Sequence, residues 1–390
     1  MRSDDLTTEY MNRFRSVVPA AAATQDVYMR HYCSGSPHAS SAKLKISIEK
    51  FGREPVAPTT RDWKVKEKLN LSERNLLCMD SQADQIVVGG ADHALRVLRV
   101  SKKLSLMRTL YTKRSGHTEW VTCAVFLPDG KVASGGMDSK ICVWGGTLAK
   151  ELLGHAGSVS KLLPLGGSHL ASASYDRSIK IWCTRTCKLL SSLHGHTGAV
   201  LDVVTSGNQS LVTAGRDGSV RVWDINEGKE VCTFPGHKGQ ATCLLNIREG
   251  ISMSGGTDGR LIVWDHRSRE TILSINSSDT CAPVAYLLKC EETGSIVSAA
   301  TDTSVTVLNA NDFSYRSRWK GDHTCHVYSM ALMKGGTVAT GGGEGTLAIR
   351  SNLGQTVDLV KVDGNAIRAI ATDCQGTVVL ATDDGNIVTI

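Results

Sequence analysis

Along most of the chain, apolar and polar residues alternate in short runs separated by Gly, Asp, Asn and Ser. From Val159 the sequence reads VSKLLPL, HLASASY, SIKIWCT and CKLLSSL. These are four alternating or β-branched segments of about six residues, each bounded by turn residues, and they predict four consecutive strands. The Asp-Gly pairs at 217–218 and 258–259 mark a tight hairpin between the second and third strands of such a unit.

The unit recurs. SGGMDSKICVW (Ser134 to Trp144), SASYDRSIKIW (Ser172 to Trp182), TAGRDGSVRVW (Thr213 to Trp223) and SGGTDGRLIVW (Ser254 to Trp264) align without gaps. Each is preceded by Gly-His, and His117/Asp138, His155/Asp176, His196/Asp217 and His237/Asp258 are all 21 residues apart. The same offset finds weaker copies. His323 pairs with Glu344 in TGGGEGTLAIR. Cys281, Leu71 and Asp363 stand at the histidine place ahead of Asp302, Asp92 and Asp384. The acids at 92, 138, 176, 217, 258, 302, 344 and 384 define eight copies, 38 to 46 residues apart.

Composition narrows the picture. By length alone, 390 residues suggest two or three domains, a rule that repetitive all-β folds break. The chain is 41% apolar and 21% charged, enough for a packed core, and 38 glycines against 8 prolines fit many tight turns. A net charge of +6 without charge blocks, and few aromatics, give no indication of nucleic-acid binding. The 12 cysteines contain no Cys-x-x-Cys pair, the nearest two being Cys183 and Cys187. Cys78, Cys123 and Cys243 share one place in the repeat, as small buried hydrophobes would, so a reduced intracellular protein is expected. No apolar run reaches the roughly 18 residues of a membrane span, and the N-terminus lacks a secretory core. Arg2, Arg13 and Arg15 suit a mitochondrial presequence, but Asp4, Asp5 and Glu9 do not. The expected location is cytoplasmic, with cytoskeleton, cilium and nucleus open.

Four-stranded units of this length with Gly-His and Trp-Asp signatures resemble the WD40 family of β-propellers, over roughly Trp63 to Ile390. The resemblance implies an all-β fold with a propeller over residues 61–390 and an N-terminal arm over 1–60. Eight blades are expected, with seven, the commoner number in the family, as the alternative. The eighth copy stops at Ile390 after its third strand. Trp63–Leu69, with Trp63, Val65 and Leu69 at strand-compatible places, is expected to supply the missing outer strand. In the arm, Leu6, Tyr10, Phe14 and Val17 follow helical spacing and KLKISIEKF alternates. It reads either as a loosely tied tail or as an arm that docks a partner.

The resemblance also gives the triad-like residues a role. In the family, the histidine, hydroxyl, aspartate and tryptophan of a blade form one hydrogen-bonded chain. The sets here are His117/Ser134/Asp138/Trp144, His155/Ser172/Asp176/Trp182, His196/Thr213/Asp217/Trp223 and His237/Ser254/Asp258/Trp264. A buried carboxylate needs donors, which histidine and backbone N–H groups supply, whereas catalysis needs one reactive hydroxyl beside an oxyanion hole. No catalytic residue is therefore expected, and an enzyme with a central-channel site is the low alternative.

Function is expected at the rims. In the family, the place three residues after the histidine and the place before the acid reach the top face. The first set reads Arg74, Trp120, Ser158, Ala199, Gln240, Val284, His326 and Ala366. The second reads Ala91, Met137, Tyr175, Arg216, Thr257, Thr301, Gly343 and Asp383. Trp120, Met137, Tyr175 and Arg216 belong to neighbouring blades and form the expected exposed hot spot, with Gln240 and His326 as further contacts. Arg267 in WDHR resembles the Trp-Asp-x-Arg box of substrate receptors of cullin ubiquitin ligases. No phosphate loop, His-Glu-x-x-His or calcium loop is present. GDHTCH (Gly321 to His326) is not expected to hold metal, because His323 belongs to the repeat. The expectation is a non-catalytic, cofactor-free protein-interaction scaffold in a multiprotein assembly, with a ligase receptor or a ciliary or cytoskeletal component as narrower forms.

Overall fold

The computed structural model describes residues 63–390, apart from 102, 112–114, 147, 208, 352–355 and 363–364. The expectations for the arm, residues 1–60, lie outside the described residues. The described chain forms eight four-stranded antiparallel sheets and one short 3₁₀ turn, Lys334–Gly336. The eight innermost strands are Leu76–Gln82, Val121–Phe126, Val159–Pro164, Val200–Thr205, Ala241–Arg248, Val284–Cys290, Val327–Leu332 and Ile367–Thr372. Each packs beside the next, and the last packs beside the first, so the ring is closed with eight blades.

Why the strands form is visible in their burial. The second strand of each blade is buried on both faces, as in Val132–Gly136 and Leu211–Gly215, because it lies between two neighbouring blades. The outer strands are solvent-facing; Lys188–His194 and Lys229–Pro235 each bury a single side chain fully. The core is accordingly eight apolar clusters, one at each blade-to-blade contact. Trp144, Trp182, Trp223 and Trp264 are the largest fully buried side chains, each packed against the preceding blade. Burying an indole contributes roughly 4–6 kcal/mol before entropy is counted.

Every innermost strand carries a β-bulge after its first residue, for example between Val121 and Cys123 and between Val159 and Lys161. A bulge turns an extra residue towards the neighbour. Thr122, Ser160 and Thr242 occupy that place, and their hydroxyls donate to the carbonyls of Val159, Val200 and Val284 in the next blade. The register irregularity is thus a joint between blades.

Blade 8 is closed by a strand from the N-terminal side. Glu67–Asn70 pairs with Asn386–Thr389, and the Asn70 side-chain amide donates to Asn386 Oδ1 at 3.0 Å. The strand is shorter than the expected Trp63–Leu69. Glu67 faces Thr389, the Lys66 N–H donates to Thr389 O, and Ile390 pairs back to Val378. Trp63 instead packs against the cluster between blades 7 and 8.

Candidate functional site

In blade 2, Trp144 Nε1–H donates to Ser134 Oγ at 2.9 Å. His117 Nε2 lies 2.8 Å from the same oxygen, and His117 Nδ1 lies 3.0 Å from Asp138. Indole is only a donor and a hydroxyl has one proton, so a single direction satisfies the chain. Trp donates to Ser, Ser donates to Nε2, and Nδ1–H donates to the carboxylate. The histidine is thereby assigned as the neutral Nδ1–H tautomer. The network repeats with Trp182, Ser172, His155 and Asp176 at 2.7–2.8 Å. It repeats again with Trp223, Thr213, His196 and Asp217, and with Trp264, Ser254, His237 and Asp258.

The aspartates also accept backbone N–H groups, Asp217 from Thr197 and Ser219 and Asp138 from Thr118 and Lys140. Burial opposes their ionisation, but the histidine N–H and these donors outweigh it, so Asp138, Asp176, Asp217 and Asp258 are all held below the usual carboxylate range. The network explains the glycines before the acid. A methyl group at Gly136 or Gly256 would collide with both the histidine Nδ1 and the aspartate of its own blade. Each hydroxyl is wholly buried with both its partners fixed, in four equivalent places. Such an arrangement braces a turn and leaves no group to attack a substrate.

Where the signature fades, substitutes appear. Blade 7 keeps His323, Thr340 and Glu344, at 2.9 and 2.7 Å, but has Arg350 in place of tryptophan. That guanidinium lies 5.3 Å from the Trp319 ring centre and pairs with Asp322. In blade 6, Asp302 accepts from Thr280 and from Lys320 at 3.2 Å. In blade 1, Asp92 pairs with Arg96, and in blade 8, Asp384 accepts from Asn365 at 2.7 Å.

The two predicted sets of top-face residues are joined by backbone hydrogen bonds. Met137 N–H donates to Trp120 O, Tyr175 to Ser158, Arg216 to Ala199, Thr257 to Gln240, Gly343 to His326 and Asp383 to Ala366. In blades 1 and 6 the expectation is one residue off: Ala91 pairs with Asn75, not Arg74, and Thr301 with Pro283, not Val284. Both blades lack the histidine, but so does blade 8, where the expected pairing holds.

Trp120, Met137, Tyr175 and Arg216 come together on adjoining blades, but half-buried where full exposure was expected. Burial pushes the Tyr175 hydroxyl up in pKa, with the nearby Arg216 charge acting against it. Gln240 is also half-buried, and His326 Nδ1–H donates to the carbonyl of Thr301 at 2.6 Å, tying blade 7 to blade 6. Among GDHTCH, His323 sits in its brace, His326 on Thr301 and Cys325 is exposed, so the three do not converge. Arg267 is exposed on the bottom hairpin of blade 5, its side chain running over Gly250.

One cluster was not foreseen. Lys161 Nζ lies 3.6 Å from Asp202 in the next blade, with 49% of its side chain exposed. Its charge also acts on Asp80 of blade 1, Cys123 of blade 2 and Cys243 of blade 5, which places it at the central channel. Asp80 and Asp202 accept the N–H groups of Phe126 and Leu244 in the following blades. Burial pushes the Cys123 thiol up to about 11 and Cys243 to about 12, so both are protonated and unreactive at neutral pH. The signal was a charge at Lys161 and Asp202, at the inner-strand place held elsewhere by Cys, Tyr, Ser or Ala.

Comparison with known proteins agrees with the geometry. The WD40 family model (WD domain, G-beta repeat) matches residues 107–145, 146–183, 187–224 and 228–265. The sterol regulatory element-binding protein cleavage-activating protein of Xenopus laevis is 31% identical over 30% of this chain and 9% of its own. The ribosome biogenesis protein YTM1 of Chaetomium globosum is 32% identical over 26% of this chain and 23% of its own. Protein HIR1 of Mycosarcoma maydis is 38% identical over 19% and 8%. The chain thus spans less than a quarter of the length of each. The crystal structure of the computationally designed Ika8 protein matches with a TM-score of 0.71 at 25% identity, covering 82% of this chain and 96% of that one.

Proposed function

We propose that this chain, an eight-bladed β-propeller with four WD40 repeats, is a non-catalytic interaction platform that holds other proteins of a multiprotein assembly on its top face. The observation carrying this reading is the fate of the triad-like residues. Each histidine, hydroxyl and acid is used up in a brace of its own blade, and the channel thiols are driven to the protonated form. These groups are therefore committed to structure, while the patch of Trp120, Met137, Tyr175 and Arg216 offers aromatic, thioether and cationic groups to a partner. Family membership supports an interaction role, and a relative named for ribosome biogenesis supports work within an assembly. Residues 1–60 are the second contact in this proposal, and the cytoplasm its proposed location.

The test is a pull-down from native extract with the parent chain and with Trp120→Ala plus Tyr175→Ala. Loss of a discrete set of partners at unchanged melting temperature supports the top face. Identical partners for both chains would overturn it. The exposed Arg267 favours a second, narrower reading, contact with a ubiquitin-ligase adaptor. Adaptor co-purification abolished by Arg267→Ala supports that reading, and its absence ends it.

A further inference from the structure

Among the four blades with the full signature, blade 2 has the shortest outer hairpin. From tryptophan to the next histidine there are 14 residues in blades 3 and 4 (182 to 196, 223 to 237) but 11 in blade 2 (144 to 155). The three missing residues shorten the outer hairpin. The outer strand of blade 2 is only Ala149–Leu152, against Lys188–His194 in blade 3. The bulge that joins the third and outer strands of blades 1 and 3 to 7 is absent in blade 2, where Ile141 to Trp144 pair in unbroken register with Leu152 to Ala149.

The shortened hairpin leaves a notch of about 400 Å³ on the bottom face, opposite the histidine loops, between blades 2 and 3. Its volume is within the range that seats a small ligand or a few residues of peptide. Gly145 and Gly146 leave its backbone uncovered, and Leu148 stands 67% exposed beside it. Lys131, Lys150 and Arg185 rim it. Lys131 pairs with Asp129 at 2.6 Å, whose carboxyl it holds below the ordinary range by that hydrogen bond, against slight burial. Lys150 and Arg185 make no ion pair among the described residues. Three cations thus face one carboxylate around an apolar floor.

We infer that this notch docks a short acidic peptide segment that carries an apolar side chain. The apolar group covers Leu148, and flanking Asp or Glu carboxylates accept from Lys150 and from the forked guanidinium of Arg185. The inference rests on the interaction-platform reading but uses the opposite face, so a partner on the top face and a peptide at the notch can bind together.

The experiment is selection of a displayed random-peptide library on the immobilised full-length chain. The expected winners combine Asp or Glu with Leu, Ile or Phe. Their affinity falls roughly tenfold or more for Arg185→Glu plus Lys150→Glu, is weakened by salt, and is unchanged by Trp120→Ala plus Tyr175→Ala. Both altered side chains are exposed, so the variant keeps the parent's melting temperature. Winners without acidic residues, or insensitive to the charge reversal, overturn the notch. Winners lost only in the Trp120/Tyr175 variant support the top face and overturn the notch. Failure of both variants to affect binding, or binding of anionic lipid vesicles in place of any peptide, overturns it as well.

Discussion

At the scale of single residues, His196, Thr213, Asp217 and Trp223 settle whether the chain's most reactive-looking groups are for chemistry or for shape. Trp223 donates to Thr213, Thr213 to His196 and His196 to Asp217, at 2.8, 2.8 and 3.0 Å. Asp217→Ala leaves the histidine N–H and two backbone donors without their acceptor. The expected cost is about 3 kcal/mol, read from chemical denaturation, as for breaking a buried ionic network. Trp223→Phe removes one donor and leaves a cavity in the core between blades 3 and 4, so a cost of about 2 kcal/mol or more is expected. The pH dependence has a defined sign. The brace aspartates have folded pKa values below their unfolded ones. Their contribution is complete above the unfolded value near 4 and is lost as pH falls through the folded values. Urea midpoints should therefore decline below about pH 4, and Asp217→Asn should flatten that decline. The His–Asp offset of 21 residues made these braces legible in the sequence. The exposure of Trp120 and Tyr175 was not legible, because whether a ring stands up or folds over a joint depends on packing from the neighbouring blade.

At the scale of elements, sequence pattern located the strands and their number per blade because each strand is short and bounded by turn residues with a chemical signature. Two features escaped it. The bulge after the first residue of every inner strand follows from contact with the next blade and leaves no fixed residue type, Thr122, Ser160, Leu201 and Ala285 all occupying it. The length of the closing strand is set by Asn386–Thr389, far away in sequence, so Glu67–Asn70 replaces the longer expected segment. Closure has a testable consequence. Removing residues 1–70 exposes the edge of Asn386–Thr389, and an unpaired edge recruits other chains. The truncated chain is expected to melt lower and to form concentration-dependent oligomers by light scattering, whereas removal of residues 1–60 should leave the melting temperature close to the parent's.

At the scale of the molecule, eight small cores between blades make a rigid ring, and the repeated braces hold its top turns in place. The sequence carries this architecture plainly in blades 2 to 5. Blades 1, 6 and 8 carry it only through spacing, since Arg96, Lys320 and Asn365 do there what histidine does elsewhere. The charged channel formed by Lys161, Asp80 and Asp202 showed in the sequence only as charges on separate inner strands, because those residues come together only when blades 1, 3 and 4 face a common axis. In the proposed function the ring is scaffold and its top face the working surface. Hydrogen–deuterium exchange of the full chain, alone and bound to a captured partner, separates this from a channel site. New protection is expected in the loops and turns holding Trp120, Met137, Tyr175 and Arg216, with the channel strand Val159–Pro164 unchanged. Protection confined to the channel strands, with the top-face loops unaltered, would contradict it.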